Sequence, residues 1–402
     1  TGKMINRISS VAIKICTPSP RHIGWWDTKA AGSMARAFSR IGIPCRIDFR
    51  DQWYRSEKAD MVVHIYRDGT YRVDPGQLNI VWIIRHPEKV SIRELDSFDL
   101  VLVSSEKFAH ELKQTLGVPV HYFPQAGDRL FSDRADPEKC ERSEFDLLLV
   151  GNNYAYAGNP RRQVIEDVLP FVHVHNWKLG IVGQNWKGHV PPSFILSEYV
   201  EWDLLPQLYG MARIVLNDHH PADAASQFIS DRTFDLALAR VFQLGNPVAG
   251  IEPLGVCTYS SARDLEAKIL HFMADERGRN RNIVEVYNRC RPYTFDARVA
   301  ELLELVRGLR AVSAPFTPAS QTGSQLYKER KRPLVSICVP TFNRAEYIAE
   351  CLAGIACQGY DNLETIIVDD GSTDDTEGIV QRLNLPGLRY VKAAHLGAPF
   401  AR

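Results

Sequence analysis

The sequence predicts an α/β protein of open parallel sheets: two successive units over residues 1–310, then the start of a third after residue 333. Three observations carry this. Short runs are apolar at consecutive positions, as in strands covered on both faces. Amphipathic helical stretches separate those runs. The rhythm restarts twice, at Phe145 and again at Val335. A chain of 402 residues exceeds one ordinary core and suits two or three domains. With 45% apolar and 24% charged residues, it has the balance of an ordered globular protein.

The first strand is predicted at 11–16, followed by a loop at 18–24. Helical spacing of Ala31, Met34, Ala35 and Phe38 gives a helix over 28–40 that stops at Gly42. Strands at 61–65, 80–84 and 100–103 follow, then a helix at 106–116 and a strand at 118–122. The hinge falls near 125–143. The second unit opens with a strand at 145–151. A helix at 161–169, strands at 177–182 and 214–217, a helix from Asp231 and a strand at 241–244 come next. Helices at 262–274 and 296–309 close it. Residues 311–332 are rich in Ala, Pro, Ser, Thr, Gln and Gly and read as a linker. The third unit has strands at 335–339 and 363–368 around a helix at 345–356. The domains are therefore 1–130, 131–310, the linker 311–332, and 333–402.

Charge and cysteine usage exclude several classes. Lys+Arg and Asp+Glu are both 48, which removes a general electrostatic grip on nucleic acid. The eight cysteines form no C-x-x-C, so they read as reduced thiols rather than zinc ligands or a disulfide framework. No apolar run reaches the 18 or more residues of a membrane span, and the amino terminus does not read as a signal peptide. Lys328, Arg330, Lys331 and Arg332 leave two readings open, a solvated tether or peripheral contact with an acidic membrane surface. Residues 333–402 carry five Lys/Arg against nine Asp/Glu, a net of −4. The chain begins without methionine and stops within a pattern, and is read as a piece of a longer protein.

The most specific pattern is Pro340-Thr341-Phe342-Asn343-Arg344 followed by Val368-Asp369-Asp370-Gly371-Ser372-Thr373-Asp374. A strand end with a Pro/Asn loop offers amides and small polar groups to a base and ribose. A neighbouring strand ending in two carboxylates accepts hydrogen bonds from imide and hydroxyl groups. These residues resemble the family 2 glycosyltransferases, of GT-A fold. The resemblance implies that Pro340, Thr341, Asn343, Asp369 and Asp370 line a nucleotide pocket. Leu388-Arg389-Tyr390-Val391, Gly397 and Ala401-Arg402 resemble the family's next strand and small-residue segment. The family's metal-binding D-x-D and acceptor base would lie beyond Arg402. A divalent cation (Mg or Mn) is expected only for a complete GT-A module, and residues 333–402 alone are expected not to turn over.

In the first two units, Trp26-Asp27, Arg85-His86-Pro87, 98–105 and Gln125-Ala126-Gly127-Asp128 are joined by Leu149-Val150-Gly151-Asn152, Ile181-Val182-Gly183, 214–217 and Asp231-Arg232-Thr233-Phe234-Asp235. Together they resemble GT-B glycosyltransferases, the CgeB-like and family 1/family 4-type groups. The implied fold is two Rossmann-like domains facing across a cleft, acceptor side first and nucleotide-sugar side second, with no metal or other cofactor. A helix starting near Asp231 would aim peptide N–H groups at a diphosphate, with Arg232 adding a bidentate contact. The other reading of the pair is a helix cap and a surface cation. Gly151 and Gly183 end strands where a backbone approaches a ligand. Asn152 and Thr233 belong to the same donor-side motifs. The resemblance gives Asp235 the second acidic position of an E-x7-E pattern that holds ribose hydroxyls; Gln227 replaces the first. His86, at a strand's carboxyl end, is the candidate general base or hydrogen-bond partner of the reacting sugar, with a strand-ending His86-Pro87 turn its alternative; Asp27 is the second choice for the base, with a helix N-cap its alternative. His173/His175 and His219/His220 lack a third ligand in register, so no metal site is assigned.

The reading is a glycosyltransferase that moves a sugar from a nucleotide-diphosphate sugar to a glycan or lipid-linked hydroxyl in bacterial surface-polysaccharide or glycoconjugate synthesis. It is placed in the cytoplasm, with the inner face of the membrane left open as a narrower location. The alternative is a non-catalytic glycan- or nucleotide-binding GT-B-like module tethered to a family 2 enzyme. A Rossmann oxidoreductase is disfavoured, since Thr17-Pro18-Ser19-Pro20 stands where G-x-G-x-x-G would follow the first strand.

Overall fold

The computed structural model describes residues 8–19, 26–67, 70–134, 144–153, 162–311, 334–356, 362–383 and 387–393. The chain divides into two compact units, Thr1–Ser313 and Ala314–Arg402. Most of the loop at 18–24, nearly all of the linker at 311–332, the basic cluster within it, Cys140, Cys357, Gly397, Ala401 and Arg402 lie outside the described residues.

Unit 1 holds two lobes. The first lobe contains β1 (Val11–Lys14), α1 (Trp26–Arg40), β2 (Cys45–Asp48), β3 (Met61–Tyr66), β4 (Leu78–Ile83), α2 (Ile92–Leu95), β5 (Leu100–Val103), α3 (Glu106–Lys113) and β6 (Val120–Tyr122). Its six strands are all parallel, in the order β2-β1-β3-β4-β5-β6. The central strands are buried along their length because apolar cores cover both faces. Met34 and Phe38, fully buried on α1, each contribute roughly 1.5–3 kcal/mol by that burial.

After α4 (Arg129–Arg134), the second lobe contains β7 (Phe145–Val150), α5 (Gln163–Val174), β8 (Leu179–Val182), β9 (Ile195–Ser197), α6 (Leu205–Gly210), β10 (Ala212–Asn217), α7 (Pro221–Ala225), α8 (Asp231–Leu238), β11 (Gln243–Gly245), β12 (Cys257–Thr258), α9 (Ala262–Ala274) and α10 (Glu276–Cys290). Its parallel sheet runs β12-β11-β10-β7-β8-β9.

The last helix of the unit, α11 (Phe295–Ala311), does not stay with the second lobe as the sequence boundary of 310 assumes. Phe295, Val299, Leu302 and Val306 are buried in the first lobe's core beside Met34 and Phe38. Amphipathic spacing reports that a helix has an apolar stripe, not which core receives it. The chain therefore crosses between lobes twice, and the crossings pair: Gly127 N–H donates to Tyr293 O (3.0 Å) and Phe295 N–H to Gly127 O (3.2 Å).

Unit 2 contains β13 (Val335–Thr341), α12 (Ala345–Ala356), β14 (Leu363–Asp369), α13 (Thr376–Leu383) and β15 (Leu388–Lys392), with a parallel sheet in sequence order. Ile348, Leu352, Ile367 and Val380 form its core. Among the described residues no helix is long and apolar enough to cross a membrane.

Candidate active site at the lobe seam

Residues that follow strand ends of the first lobe touch residues that follow strand ends of the second. Lys29 lies one turn into α1, after β1. Its ammonium is 2.7 Å from the Asp231 carboxylate, pairs also with Asp235, and lies 4.1 Å over the Trp202 ring. Arg85, after β4, donates from Nε to Asp223 (3.0 Å) and pairs through its second terminal nitrogen at 3.0 Å. The His86 N–H donates to the same carboxylate at 3.0 Å. Ser105, after β5, donates to the Ser226 carbonyl at 2.7 Å.

His86 is placed at this seam, as its strand-end position suggested. It adopts φ 56°, ψ 55°, a left-handed conformation uncommon for a residue with a Cβ. Its Nδ1 lies 3.0 Å from Glu88, and its ring centroid is 5.8 Å from that of His220. Burial and the Arg85 guanidinium hold its pKa below the usual histidine range, against the pull of Asp223 and Glu88. A neutral imidazole with one ring nitrogen oriented by a carboxylate is the form a general base needs.

Asp27 is put to other use. It is wholly buried, accepting from the Thr17 N–H (3.0 Å), the Thr17 hydroxyl and the Thr28 N–H (2.9 Å). Those bonds anchor the segment after β1 to α1, so the carboxylate is not presented to an acceptor.

α8 starts at Asp231, as expected, but its cap and its amides are used differently. Ser230, not Asp231, is the N-cap: its hydroxyl accepts the Arg232 N–H at 3.3 Å, and its carbonyl accepts the Thr233 N–H at 3.0 Å. Two of the amides expected to grip a diphosphate, those of Arg232 and Thr233, are thus bonded to Ser230. Thr233 is fully buried, its hydroxyl accepting from Asn217 at 3.0 Å, because it lies on the face of α8 packed against β10 and β11. Asp235 is fully buried too. Besides Lys29 it takes the Asp128 N–H at 3.2 Å, so the carboxylate assigned to ribose is bonded to the opposite lobe. Burial, opposed by Lys29 and reinforced by Asp231, pushes Asp235 up to about 7. Asp231 is held down at about 2: burial favours its neutral form, but Lys29, Arg85 and Arg232 outweigh that. Gln227 takes φ 61° in the turn between α7 and α8. Arg232 is half-buried, and its guanidinium makes no ion pair among the described residues.

Gly151 and Gly183 come together at the ends of β7 and β8. A Cβ on Gly183, at φ +149°, would sit 2.3 Å from the Gly151 carbonyl oxygen, and one on Gly151 would meet the Arg162 guanidinium at 2.6 Å. Asn152 joins them, its side-chain oxygen accepting the Gln184 N–H at 2.9 Å. Arg162 donates to the Asn152 carbonyl (2.8 Å) and pairs with Asp218. Lys29, Asp128, Arg162, Asp218 and Asp223 were missed as site residues. Arg85 stood beside His86 and Asp128 closed the hinge motif, whereas Lys29, Arg162, Asp218 and Asp223 are single charges in ordinary helical or loop context. Among the described residues no group of three or more His, Cys, Asp or Glu could hold a metal ion.

In unit 2 the two quoted motifs end adjacent strands, with Thr341 opposite Asp369 in register. Pro340 immediately precedes Thr341 on β13. Asn343, at φ 48°, ties the loops together: its N–H donates to Ser372 Oγ and its side-chain oxygen accepts the Thr373 N–H, both at 2.8 Å. Asp369 accepts from Ser372 N–H (2.8 Å) and the Tyr390 hydroxyl, and the Asp370 N–H donates to Thr341 O (2.9 Å). The Thr341 hydroxyl is buried without a hydrogen-bond partner.

Residues 161–304 match the family model described as "Glycosyl transferase-like", and residues 336–397 match "Glycosyl transferase family 2". The spore protein CgeB of Bacillus subtilis is 22% identical over 242 residues, 55% of this chain and 73% of that protein. Chondroitin synthase of Escherichia coli is 40% identical over 70 residues, 17% of this chain and 10% of that protein. The chain thus spans about a tenth to a sixth of the first curated relatives it matches. Among solved structures, Anabaena HepE in complex with UDP and glucose matches with TM-score 0.52 and 10% identity, covering 74% of this chain and all of that one. A glycosyltransferase of Rickettsia africae matches at 0.50 and 11%, covering 76% of this chain and all of that one. These likenesses establish the two-lobed α/β fold. By fold and by sequence, the chain joins two glycosyltransferase-type segments in tandem, a GT-B-like one and then a family 2 one.

Proposed function

We propose that unit 1 transfers a sugar from a nucleotide-diphosphate sugar to a hydroxyl of a glycan or lipid-linked acceptor, in the building of a bacterial surface polysaccharide or glycoconjugate. The observation that carries this is the seam. It sets a neutral imidazole, His86, beside lobe-bridging cations and carboxylates at the strand ends of two parallel sheets, where ligands of such sheets bind. His86 would accept the acceptor's proton, and Lys29, Arg85 and Arg232 would offset charge on the departing diphosphate. No metal is assigned to this module. Unit 2, with Thr341, Asn343, Asp369 and Asp370 around one strand edge, would hold a nucleotide, and a divalent cation would serve only a complete GT-A module. The site of action would be the cytoplasm, at the inner face of the membrane.

The test is release of nucleoside diphosphate from a panel of UDP-, GDP- and TDP-sugars by the full chain. His86→Ala should cut turnover by about 10²-fold or more with little change in KM, the loss typical of a general base. Turnover that survives both His86→Ala and Arg232→Ala would remove those two residues from the chemistry, and binding of a donor without turnover by the parent would leave unit 1 as a binding module.

A further inference from the structure

His86 holds a backbone conformation that local preferences oppose. At φ 56° and ψ 55° it lies in the left-handed region, and it stands directly before Pro87, where extended conformations are favoured. Its carbonyl closes a short turn by accepting the Lys89 N–H at 3.0 Å. Its own N–H crosses the seam and donates to Asp223 Oδ1 at 3.0 Å. The preceding residue, Arg85, meets Oδ2 of the same carboxylate through Nε and a terminal nitrogen, both at 3.0 Å. Asp223 is buried, so these charge-assisted bonds form away from water, where they are strong. One carboxylate of the second lobe thus grips two successive residues of the first.

The same short helix brings a second ring to His86. His220 caps α7, its Nδ1 accepting the Ala222 N–H at 3.3 Å, and its ring centroid is 5.8 Å from that of His86. The seat of α7 has contacts of its own. The Asp223 carbonyl accepts the Phe228 N–H at 2.8 Å, Phe228 is buried in a core of the first lobe beside Phe108, and the Ser226 carbonyl accepts the Ser105 hydroxyl at 2.7 Å. The segment therefore stays docked when the Asp223 side chain is changed.

We propose that Asp223 is a positioning residue for His86: from the second lobe, its carboxylate fixes the Arg85-His86 backbone in the left-handed turn that sets the imidazole beside His220 at the seam. This rests on the reading of His86 as the general base and adds the group that orients it. The charged and titratable groups around the imidazole are Arg85 and Glu88 on its own segment, with His220 and Asp223 at the start of α7 and within it. Base and holder belong to different lobes, so parting the lobes releases the turn. His86 is set for proton transfer only in the apposed state.

The experiment follows the His86 ring and amide by NMR in the full chain, the ring signal being identified by its loss in His86→Ala, together with steady-state turnover. Asp223→Ala should lower the pH at which the ring titrates by at least about 0.5, because a nearby anion is lost, and should open the His86 amide to exchange. It should also cut kcat by about 10-fold or more with KM little changed. Asp223→Asn can still accept the N–H; it should recover most of kcat while its ring titrates low. A folded Asp223→Ala with parental titration and amide protection overturns the proposal. So does parental kcat in that variant when His86→Ala is inactive. If Asp223→Ala fails to fold, Asp223→Asn decides, and a parental titration there overturns the proposal. A His86 amide that exchanges rapidly in the parent overturns it without any variant. Absence of turnover in the parent, or turnover that survives His86→Ala, refutes the general-base reading, while titration and exchange still judge the hold of Asp223.

Discussion

Two buried lysines in unit 1 meet the same chemistry in different places. Lys14 lies in the first lobe's core, 3.3 Å from Asp48 and over the Tyr71 ring. Strand register puts it between Asp48 and His64, so three neighbouring strands fix the cluster. Lys29 lies between lobes, and its carboxylate partners stand about 200 residues further along the chain. Burial lowers the Lys14 pKa despite Asp48, whereas at Lys29 two carboxylates outweigh burial and raise it. The core cluster exists whenever the sheet does. The seam cluster exists only while the lobes are apposed, so its energy reports their arrangement.

The sharpest way to break this contrast is to remove one charge from each cluster and leave the other stranded. Asp48→Ala leaves Lys14 buried and unpaired and should cost about 3–5 kcal/mol in urea unfolding. Lys29→Ala should cost less, about 1–3 kcal/mol, because Asp235 can hold a proton and relieve the pair. Equal losses would sink the distinction.

Gly127→Ala should follow in size. A Cβ there would lie 2.7 Å from Leu238 and 2.9 Å from the Phe234 backbone, pushing α8 away from the crossing. Overpacking of about 1–3 kcal/mol is expected, together with a wider lobe separation in solution scattering. Loss of stability without that widening would remove α8 from the contact.

The clusters also carry opposite pH slopes. His64 is buried between Tyr71 and Phe98 with neither ring nitrogen hydrogen-bonded, and burial takes its pKa down to about 3. Its neutral form is compatible with the fold, so stability is full above the unfolded value of about 6.5 and falls as pH drops toward 3. Asp235, raised to about 7, works the other way: its contribution is full below about 4 and is lost as pH rises through 7. Between pH 4 and 6.5 each slope approaches ~1.4 kcal/mol per pH unit and the two oppose. His64→Phe should leave stability falling with pH in that window, and Asp235→Asn should leave it rising. Parallel curves for the two variants would show that neither group titrates as placed.

The smallest effect is expected at Arg40–Asp296, a partly exposed pair at 2.6 Å that ties α1 to α11. A double-mutant cycle should give under about 1 kcal/mol. A larger coupling would make that pair a third cluster of the seam's kind.

The sheets were legible because their strands are apolar runs, and so were both unit 2 motifs, whose spacing fits consecutive strands. The edge strand Cys45–Asp48 was not, since Arg46 and Asp48 break its apolar pattern. Nor was Glu276–Cys290, where Gly278, Arg and Asn dilute the helical stripe. His86 could be placed from its strand end alone. The seam partners could not: which cation meets which carboxylate depends on how two lobes dock, and no local periodicity encodes that. Asp27, Thr233 and Asp235 illustrate the cost, since motif membership gave their residue type and the fold gave their direction.

The paired crossings at Gly127 and Thr294 have a mechanical consequence. Two hydrogen-bonded passages form a two-ply joint that bends about one axis and resists twist, so opening would part Lys29 from Asp235 and Arg85 from Asp223 in a single coordinated stroke. Severing either ply alone would leave the halves tethered but free to swivel.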